Sequence, residues 1–534
     1  MLQILAAIRA GGVFLAFSVL VAFSPQVQAQ VETQVQDMSS VDAVLAYRCR
    51  SCHRPLDGGG YQGISQIRKT PEGWIMTLRR KASGYGVKIS HDERLILLKH
   101  LTSTAGLAPS EAEPYRYSLE RRPGYEETPG DPLIGRRCAR CHGYARLALQ
   151  RRGGAGWANI VRAHVGTWPT LRTQDIGTIR EWRRLLSHET VTRLNEVWPY
   201  ESPDWNKWKS HRTENLSGFW RIAGYTPGQG SYSGRANIRR KDTFEYRVNY
   251  QLIYENGTEL QLSGKAFLYT GYEWRSTLNT ADKSFEEVAA LSADGNVLTG
   301  RWFETPGDEI GGDFQAVRMG AGLSKIMAVV PPYLKMDTVA DISIYGNDLV
   351  GTVSLGAGVI ILKVKESGPS RIVVEAKAAD GAFSGARTVS VGTASATGMF
   401  AVYRKVDFIR VTPAFAVARS RGGGPGGRVV QAQFEAVAYA SGTDGREGTD
   451  DDLRIGVLPA AWSLRKFDAA SETMKDVVSA GSINAQGLFK PKAEDPFASG
   501  NLWVEAVVEG NGGKLTGRAR LVVTPQRQNE NPIR

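Results

Sequence analysis

Cys138-Ala139-Arg140-Cys141-His142 repeats the spacing of Cys49-Arg50-Ser51-Cys52-His53, and these two pentapeptides hold all 4 cysteines of a 534-residue chain. Two thiols three positions apart, followed at once by an imidazole, form the pattern for covalent attachment of a c-type haem. On the first turn of a helix, both thiols can add to vinyl groups of one porphyrin. The next residue, His53 or His142, then ligates the iron from the proximal side. A redox dithiol needs no adjacent histidine and sits in a βαβ context, and a Cys2His2 zinc site requires longer-spaced histidines. Plain disulfides, the ordinary use of cysteine in an exported chain, account for neither the spacing nor the histidines. The two strings therefore set an N-terminal helical region carrying two haem c groups.

Upstream of them, Arg9 precedes an apolar run from Gly11 to Phe23 that closes on Val27-Gln28-Ala29, the small-residue pattern a signal peptidase reads. Cleavage after Ala29 and export to the periplasm are expected. The run is shorter than the roughly 20 apolar residues of a membrane-spanning helix, and no later stretch competes with it, so no stable membrane insertion is expected.

The far side of each iron needs a second ligand, usually Met or His. Only 7 histidines occur, and His91, His100, His164, His188 and His211 remain after the two proximal ones. In Trp157-Ala-Asn-Ile-Val-Arg-Ala-His164 the residues Trp157, Ile160, Val161 and His164 share one helical face, which puts an imidazole on a buried stripe just after the second pentapeptide. His164 is thus the candidate distal ligand of the second haem. For the first haem, a helix begun at Pro71 and running to Lys81 carries a single thioether, Met76. Met76 is one candidate. His91, at the start of a helix marked by Ser90 and Asp92-Glu93, and His100, near its end, are others, and a position left open to a small ligand is a further alternative.

From about Leu216 the texture becomes strand-like. Tyr246 to Tyr254 alternates apolar with polar residues and runs into the hairpin turn Glu255-Asn256-Gly257. The aromatic-rich stretch to about Met319 reads as one antiparallel barrel, its rings packed in the core rather than lining a ligand pocket. Asp341–Tyr345 and Val359–Val364 read as strands of a second unit, and Ile409–Pro413 opens a third. Both have the strand and turn spacing of immunoglobulin-like sandwiches. The run Arg421–Gly427 reads as a flexible loop without the lysine of a phosphate-binding motif, and Asp444–Asp452 as a solvated acidic turn rather than a calcium loop.

The fold class expected is multidomain α + β. Signal peptide 1–29 precedes a dihaem cytochrome c domain 30–210, an antiparallel β-barrel 211–322, an immunoglobulin-like domain 323–408 and a C-terminal immunoglobulin-like domain 409–534. A 42% hydrophobic and 22% charged composition is ordinary for globular domains. The net charge of +12 gathers in arginine pairs, Arg121-Arg122, Arg136-Arg137, Arg151-Arg152 and Arg183-Arg184. In an exported protein these read as solvated residues or as a docking patch for an acidic protein, not as a nucleic-acid site. The β units show no catalytic group, so no catalytic residue is assigned to this chain.

This order of parts resembles the α subunit of quinohaemoprotein amine dehydrogenase over nearly the whole mature chain. The likeness is carried by Cys138-Ala-Arg-Cys-His-Gly-Tyr-Ala-Arg-Leu-Ala-Leu-Gln-Arg-Arg152, Tyr269-Thr-Gly-Tyr-Glu-Trp-Arg275 and Asp450-Asp-Asp-Leu-Arg-Ile-Gly-Val457. The resemblance implies that primary amines are oxidised at a tryptophylquinone in a small crosslinked γ subunit, and that a β-propeller subunit completes the heterotrimer. This chain would pass electrons through its two haems to a soluble cupredoxin or small cytochrome c. His164 falls where the family places a second imidazole. The family's methionine after the tryptophan helix falls at Lys81, and a lysine amine binds iron only when deprotonated. The first haem's distal ligand is therefore Met76 or Lys81, or the position is vacant. Two other readings stay open on sequence: a stand-alone dihaem enzyme of the peroxidase type, and a haem-bearing surface binding protein.

Overall fold

A computed structural model describes residues 38–168, 188–211, 213, 215–305, 310–422, 428–510 and 513–525. The expected signal peptide, the Arg183-Arg184 pair and all but the first two residues of the Arg421–Gly427 run lie outside the described residues.

Short helices build the N-terminal region because caps and breakers punctuate it closely. Thr70 caps the helix Pro71–Tyr85, which starts on its proline and ends where Gly86 turns left-handed at φ 67°. Ser90 and Glu93 form a capping box on His91–Thr104, the helix expected from the Ser90 signal. Two apolar clusters result. One gathers Val44, Leu45, Trp74, Leu78, Leu97 and Leu101, and the other Ile134, Tyr144, Leu147, Trp157, Leu194 and Trp198. Each is the floor of one pentapeptide.

A two-stranded ribbon ties these halves together. Strand β1 (Ile67–Lys69) pairs antiparallel with β2 (Gln150–Arg152), setting Arg68 opposite Arg151. Both of these arginines are buried, and both converge on Glu111. Arg68 makes a bidentate contact with it at 2.7 and 2.9 Å, and Arg151 Nε donates at 3.1 Å. Burial raises the Glu111 pKa, but the hydrogen bonds from Arg68 and the charges of Arg151 and Arg68 outweigh it and hold the carboxyl below the usual range. A carboxyl depressed in the folded state stabilises above its unfolded pKa, so this contribution is lost as pH falls through the folded value. Glu111→Ala leaves two buried guanidinium groups facing each other. Chemical denaturation should show a loss of about 3–5 kcal/mol, the usual cost of removing one partner of a buried pair; a loss under about 1 kcal/mol would contradict the role given to Glu111.

These arginines correct one expectation. Arg151 and Arg152 are not solvated but buried, at 6% and 7% exposure. Of the other described pairs, Arg121 meets Glu286, Arg122 meets Glu120 and Asp313, and Arg137 meets Glu189, while Arg121 and Arg136 are exposed as the solvated reading expects.

Eight strands then close a barrel, β3 (Gly218–Thr226), β4 (Gly230–Arg240), β5 (Glu245–Tyr254), β6 (Glu259–Tyr269), β7 (Glu273–Asn279), β8 (Ser284–Leu291), β9 (Val297–Thr305) and β10 (Gly311–Arg318), with β10 pairing back on β3. In β5 the side chains of Tyr246, Val248, Tyr250, Leu252 and Tyr254 are buried while Arg247, Asn249 and Gln251 face out, the alternation a barrel wall requires. The aromatics fill the interior with Trp220, Trp274 and Phe303. One carboxylate lies among them: Glu287 accepts from Trp274 Nε1 at 2.7 Å, Ser276 Oγ at 2.8 Å and Tyr250 Oη at 3.0 Å.

The turn between β6 and β7 docks the barrel on the helical region. Thr270 takes a positive φ of 55°, donates to Thr102 O at 3.1 Å and accepts from Trp208 Nε1 at 2.8 Å through its carbonyl. Arg275 reaches Glu72 on the Pro71–Tyr85 helix. Beyond the barrel come two immunoglobulin-like units. The first packs two four-stranded sheets around Ile342, Ile344, Val374, Val389 and Phe400. The second surrounds Phe434, Phe489, Val504 and Leu521 with one four-stranded and two three-stranded sheets. In its acidic turn, Asp451 and Asp452 accept backbone N–H groups of Thr443, Gly448 and Thr449, so the loop is held by its own carboxylates. No helix among the described residues is long and apolar enough to cross a membrane.

Candidate functional site

Each pentapeptide starts where a helix ends, rather than on a helix's first turn. Cys49 caps the C-terminus of Val41–Arg48, and the chain continues in turns with Cys52 N and His53 N donating to Cys49 O at 3.1 and 2.9 Å. Cys138 is the last residue of Pro132–Cys138, a helix capped by Asp131 and opened by Pro132. The turn still brings two thiols and a histidine together within five residues, as the motif's chemistry requires.

None of the four cysteines is joined in a disulfide. Cys49 and Cys138 are half-buried against the two apolar floors, and Cys52 and Cys141 are exposed. Burial pushes the Cys49 thiol up, while the charge of Lys81 pulls it down. That influence places Lys81 on the side of the first pentapeptide.

The histidines are oriented from behind. His53 Nδ1 lies 2.8 Å from Gln62 O, His142 Nδ1 3.2 Å from Gly143 O, and His164 Nδ1 2.8 Å from Ile160 O. A carbonyl only accepts, so each Nδ1 carries the proton and each Nε2 presents a lone pair. This is the arrangement by which a protein fixes a metal-ligating imidazole. Burial lowers the His142 pKa, and the charges of Arg146 and His164 lower it further, which favours the neutral, ligating form.

The rings of His142 and His164 stand 6.3 Å apart, centroid to centroid, at an interplanar angle of 59°. Two metal–nitrogen bonds of about 2 Å, with each nitrogen about 1 Å from its ring centre, put two imidazoles on opposite sides of one iron about 6 Å apart. The residues present fit a haem iron held between them. Of the stripe that carries His164, Trp157 is buried, Ile160 and Val161 are half-buried, and His164 itself is exposed in the chain alone.

Around the first pentapeptide the candidates separate. Met76 Sδ accepts from Arg146 Nη2 at 3.6 Å, which points it toward the second half. Lys81 lies over the Tyr85 ring with Nζ 4.5 Å from its centroid. His91 is exposed at the first turn of its helix, and His100 is half-buried with a pKa lowered by burial. His211 stacks on Trp208 at 4.0 Å, remote from both pentapeptides in its packing.

A reading along the sequence misses an internal repeat. Arg68-Lys69-x3-Gly73-Trp74 recurs as Arg151-Arg152-x3-Gly156-Trp157. Both tryptophans are buried and both indoles donate to a backbone carbonyl, Trp74 to Ala105 at 3.0 Å and Trp157 to Trp198 at 3.3 Å. His164 lies seven residues after Trp157, and seven residues after Trp74 stands Lys81.

Comparison with known proteins completes the picture. Models of the quinohemoprotein amine dehydrogenase alpha subunit match four successive stretches: its haem-binding domain over residues 39–205, domain II over 213–319, domain III over 324–404 and domain IV over 409–533. A search of the curated proteins finds no match. Among solved structures, a redesigned β-barrel is 13% identical over 20% of this chain and 91% of its own, with a TM-score of 0.18. A second redesigned barrel, mFAP1 bound to DFHBI, is 12% identical over 19% of this chain and 94% of its own, with a TM-score of 0.17. Likeness at that level says nothing about function. The four family matches follow one another over the helical region, the barrel and the two sandwiches, and on that ground the chain belongs to the quinohemoprotein amine dehydrogenase family, as its haem-binding alpha subunit.

Proposed function

We propose that this chain is the electron-transfer subunit of a periplasmic amine dehydrogenase, carrying electrons from a tryptophylquinone in a partner subunit through two haem c groups to a soluble acceptor. The observation that supports it best is the pairing of His142 with His164 at 6.3 Å, each with Nε2 left to bind metal. Bound haem supplies a one-electron ferric/ferrous couple. The chain's part is to hold it. Cys49 and Cys52 tether the first haem and Cys138 and Cys141 the second; His53, His142 and His164 ligate iron. His142 and His164 would both hold the second haem's iron and so keep small molecules from it, which suits electron relay rather than peroxide chemistry. Amine oxidation then belongs to the quinone-bearing γ subunit, a β-propeller subunit completes the complex, and a cupredoxin or small cytochrome c takes the electrons.

In the same reading, Lys81 rather than Met76 is the distal ligand of the first haem. Lys81 occupies the repeat position of His164, whereas Met76 occupies that of Asn159 and is engaged by Arg146. Lys81→Ala should change the near-infrared and electron paramagnetic resonance signature of one haem only, and Met76→Leu should leave both signatures in place. The reverse pattern would assign the ligand to Met76.

The function is tested on the complex purified from its native host. Adding a primary amine should bleach the quinone and raise the ferrous α-bands of both haems. A quinone that is reduced while both haems stay ferric would contradict the relay. Export is checked on the same sample: the mature chain should begin at Gln30, and an intact N-terminus at Met1 would contradict cleavage after Ala29.

A further inference from the structure

The two faces of the β1–β2 ribbon are charged alike and neutralised differently. Side chains alternate along a strand, so Arg68 and Arg151 share one face while Lys69 and Arg152 lie on the other. The first face has Glu111. On the second, Lys69 is 4% and Arg152 7% exposed, and among the described residues their side chains find only neutral hydrogen-bond partners: Thr77 Oγ1 at 2.6 Å for Lys69 and Gln150 Oε1 at 3.0 Å for Arg152. Their stems run past the first turns of two helices at Gly73 and Gly156, where an added Cβ would come within 3.0 Å of Lys69 Cβ and of Arg152 Cβ. Their charged heads lie over Trp74 at 5.4 Å and Trp157 at 5.6 Å. The repeat is therefore structural as well as sequential.

More positive charge surrounds them. Arg80, from the Pro71–Tyr85 helix, and Arg146, four residues after His142, both bear on Lys69. Burial, then the charges of Arg152, Arg80, Lys81 and Arg146, hold the Lys69 ammonium far below the usual lysine range. Burial and then Arg80 bring Arg152 down to about 10, which still leaves it charged at neutral pH. Removing such charges from water without an anion costs several kcal/mol each. Lys69 and Arg152 are buried while Arg80 is half-buried and Arg146 exposed, so an anion can approach the cluster only from the side of Arg80 and Arg146.

We propose that Lys69, Arg80, Arg146 and Arg152 bind the propionates of the haems. The inference rests on haem attachment at the two pentapeptides. The cluster draws equally on both haem-bearing halves, Lys69 and Arg80 from the first and Arg146 and Arg152 from the second. Each haem c brings two carboxylates, the complement the cluster lacks. The ribbon then fixes haem orientation as well as joining the halves.

The test uses the holoprotein, first shown by intact mass to carry two haems. In Arg152→Gln the propionate bending band of the resonance Raman spectrum should shift to lower frequency for at least one haem. The ferric form of that haem should gain about tenfold over the ferrous, a fall of 59 mV for a one-electron couple. Arg152→Lys should restore most of both. Arg80→Gln, at a half-buried position more tolerant of change, should shift the same band, while Arg79→Gln on the exposed side of that helix should not. Unshifted bands in both Arg152→Gln and Arg80→Gln at full haem loading would overturn the proposal. If Arg152→Gln does not accumulate, Arg80→Gln decides. A wild-type chain without covalent haem would instead overturn the reading on which the proposal stands.

Discussion

Replacing Cys138 and Cys141 together with alanine is expected to remove one whole haem from the denatured chain and leave the other in place. Both sulfurs lie in the turn at the end of Pro132–Cys138, and only thioether links survive denaturation. His142 and His164 can still hold iron in the folded state, so the loss should be complete in an intact-mass spectrum taken in acid and partial in a native one. The single substitutions should each leave one link and a lowered yield. Cys49→Ala with Cys52→Ala should remove the other haem by the same reasoning. A double variant that keeps two covalent haems would show that the pentapeptide is not the attachment point.

His164→Ala is expected to convert one haem from low-spin to high-spin. The imidazole 6.3 Å from His142 is the group placed to complete six-coordination, and alanine offers the iron no donor. His164 is exposed in the chain and its Nδ1 bonds only to Ile160 O within its own helix, so the substitution should cost little stability. The spin change should then be seen in a protein with wild-type melting behaviour and full haem content. The potential of that haem should change with its ligand field. An unaltered low-spin spectrum would remove His164 from the site.

Much of this was legible from residues because the signals are local. A haem-attachment motif gathers its two thiols and histidine within five positions, so the attachment proposed at Cys49–His53 and Cys138–His142 is readable without any tertiary information. The period-two pattern of Tyr246–Tyr254 becomes one wall of the barrel. Ser90, Thr70 and Asp131 mark helix starts through side chains that cap the next turn. The resemblance drawn from Tyr269–Arg275 has a physical basis too, since that turn docks the barrel on the helical region through Thr270 and Arg275.

What escaped the sequence is non-local. Three-residue strands such as Ile67–Lys69 and Gln150–Arg152 are too short to show any period. Arg151 is neutralised by Glu111 forty residues away, and nothing near it in the chain marks the partner. Composition alone therefore makes Arg151-Arg152 look solvated. The repeated Arg-x4-Gly-Trp spacing, with a basic residue next to the arginine, was the available signal: two buried tryptophans at equal distances from two cationic pairs. Aligning the halves on those tryptophans also sets Lys81 against His164, which periodicity within one helix cannot do.

The most direct measurement is the intact mass of the mature wild-type chain after denaturation and removal of all non-covalent ligands. Two covalent haems added to the polypeptide that begins at Gln30 are expected. A mass equal to the bare polypeptide, or to the polypeptide with its cysteines joined as disulfides, would contradict thioether attachment and every step built on it.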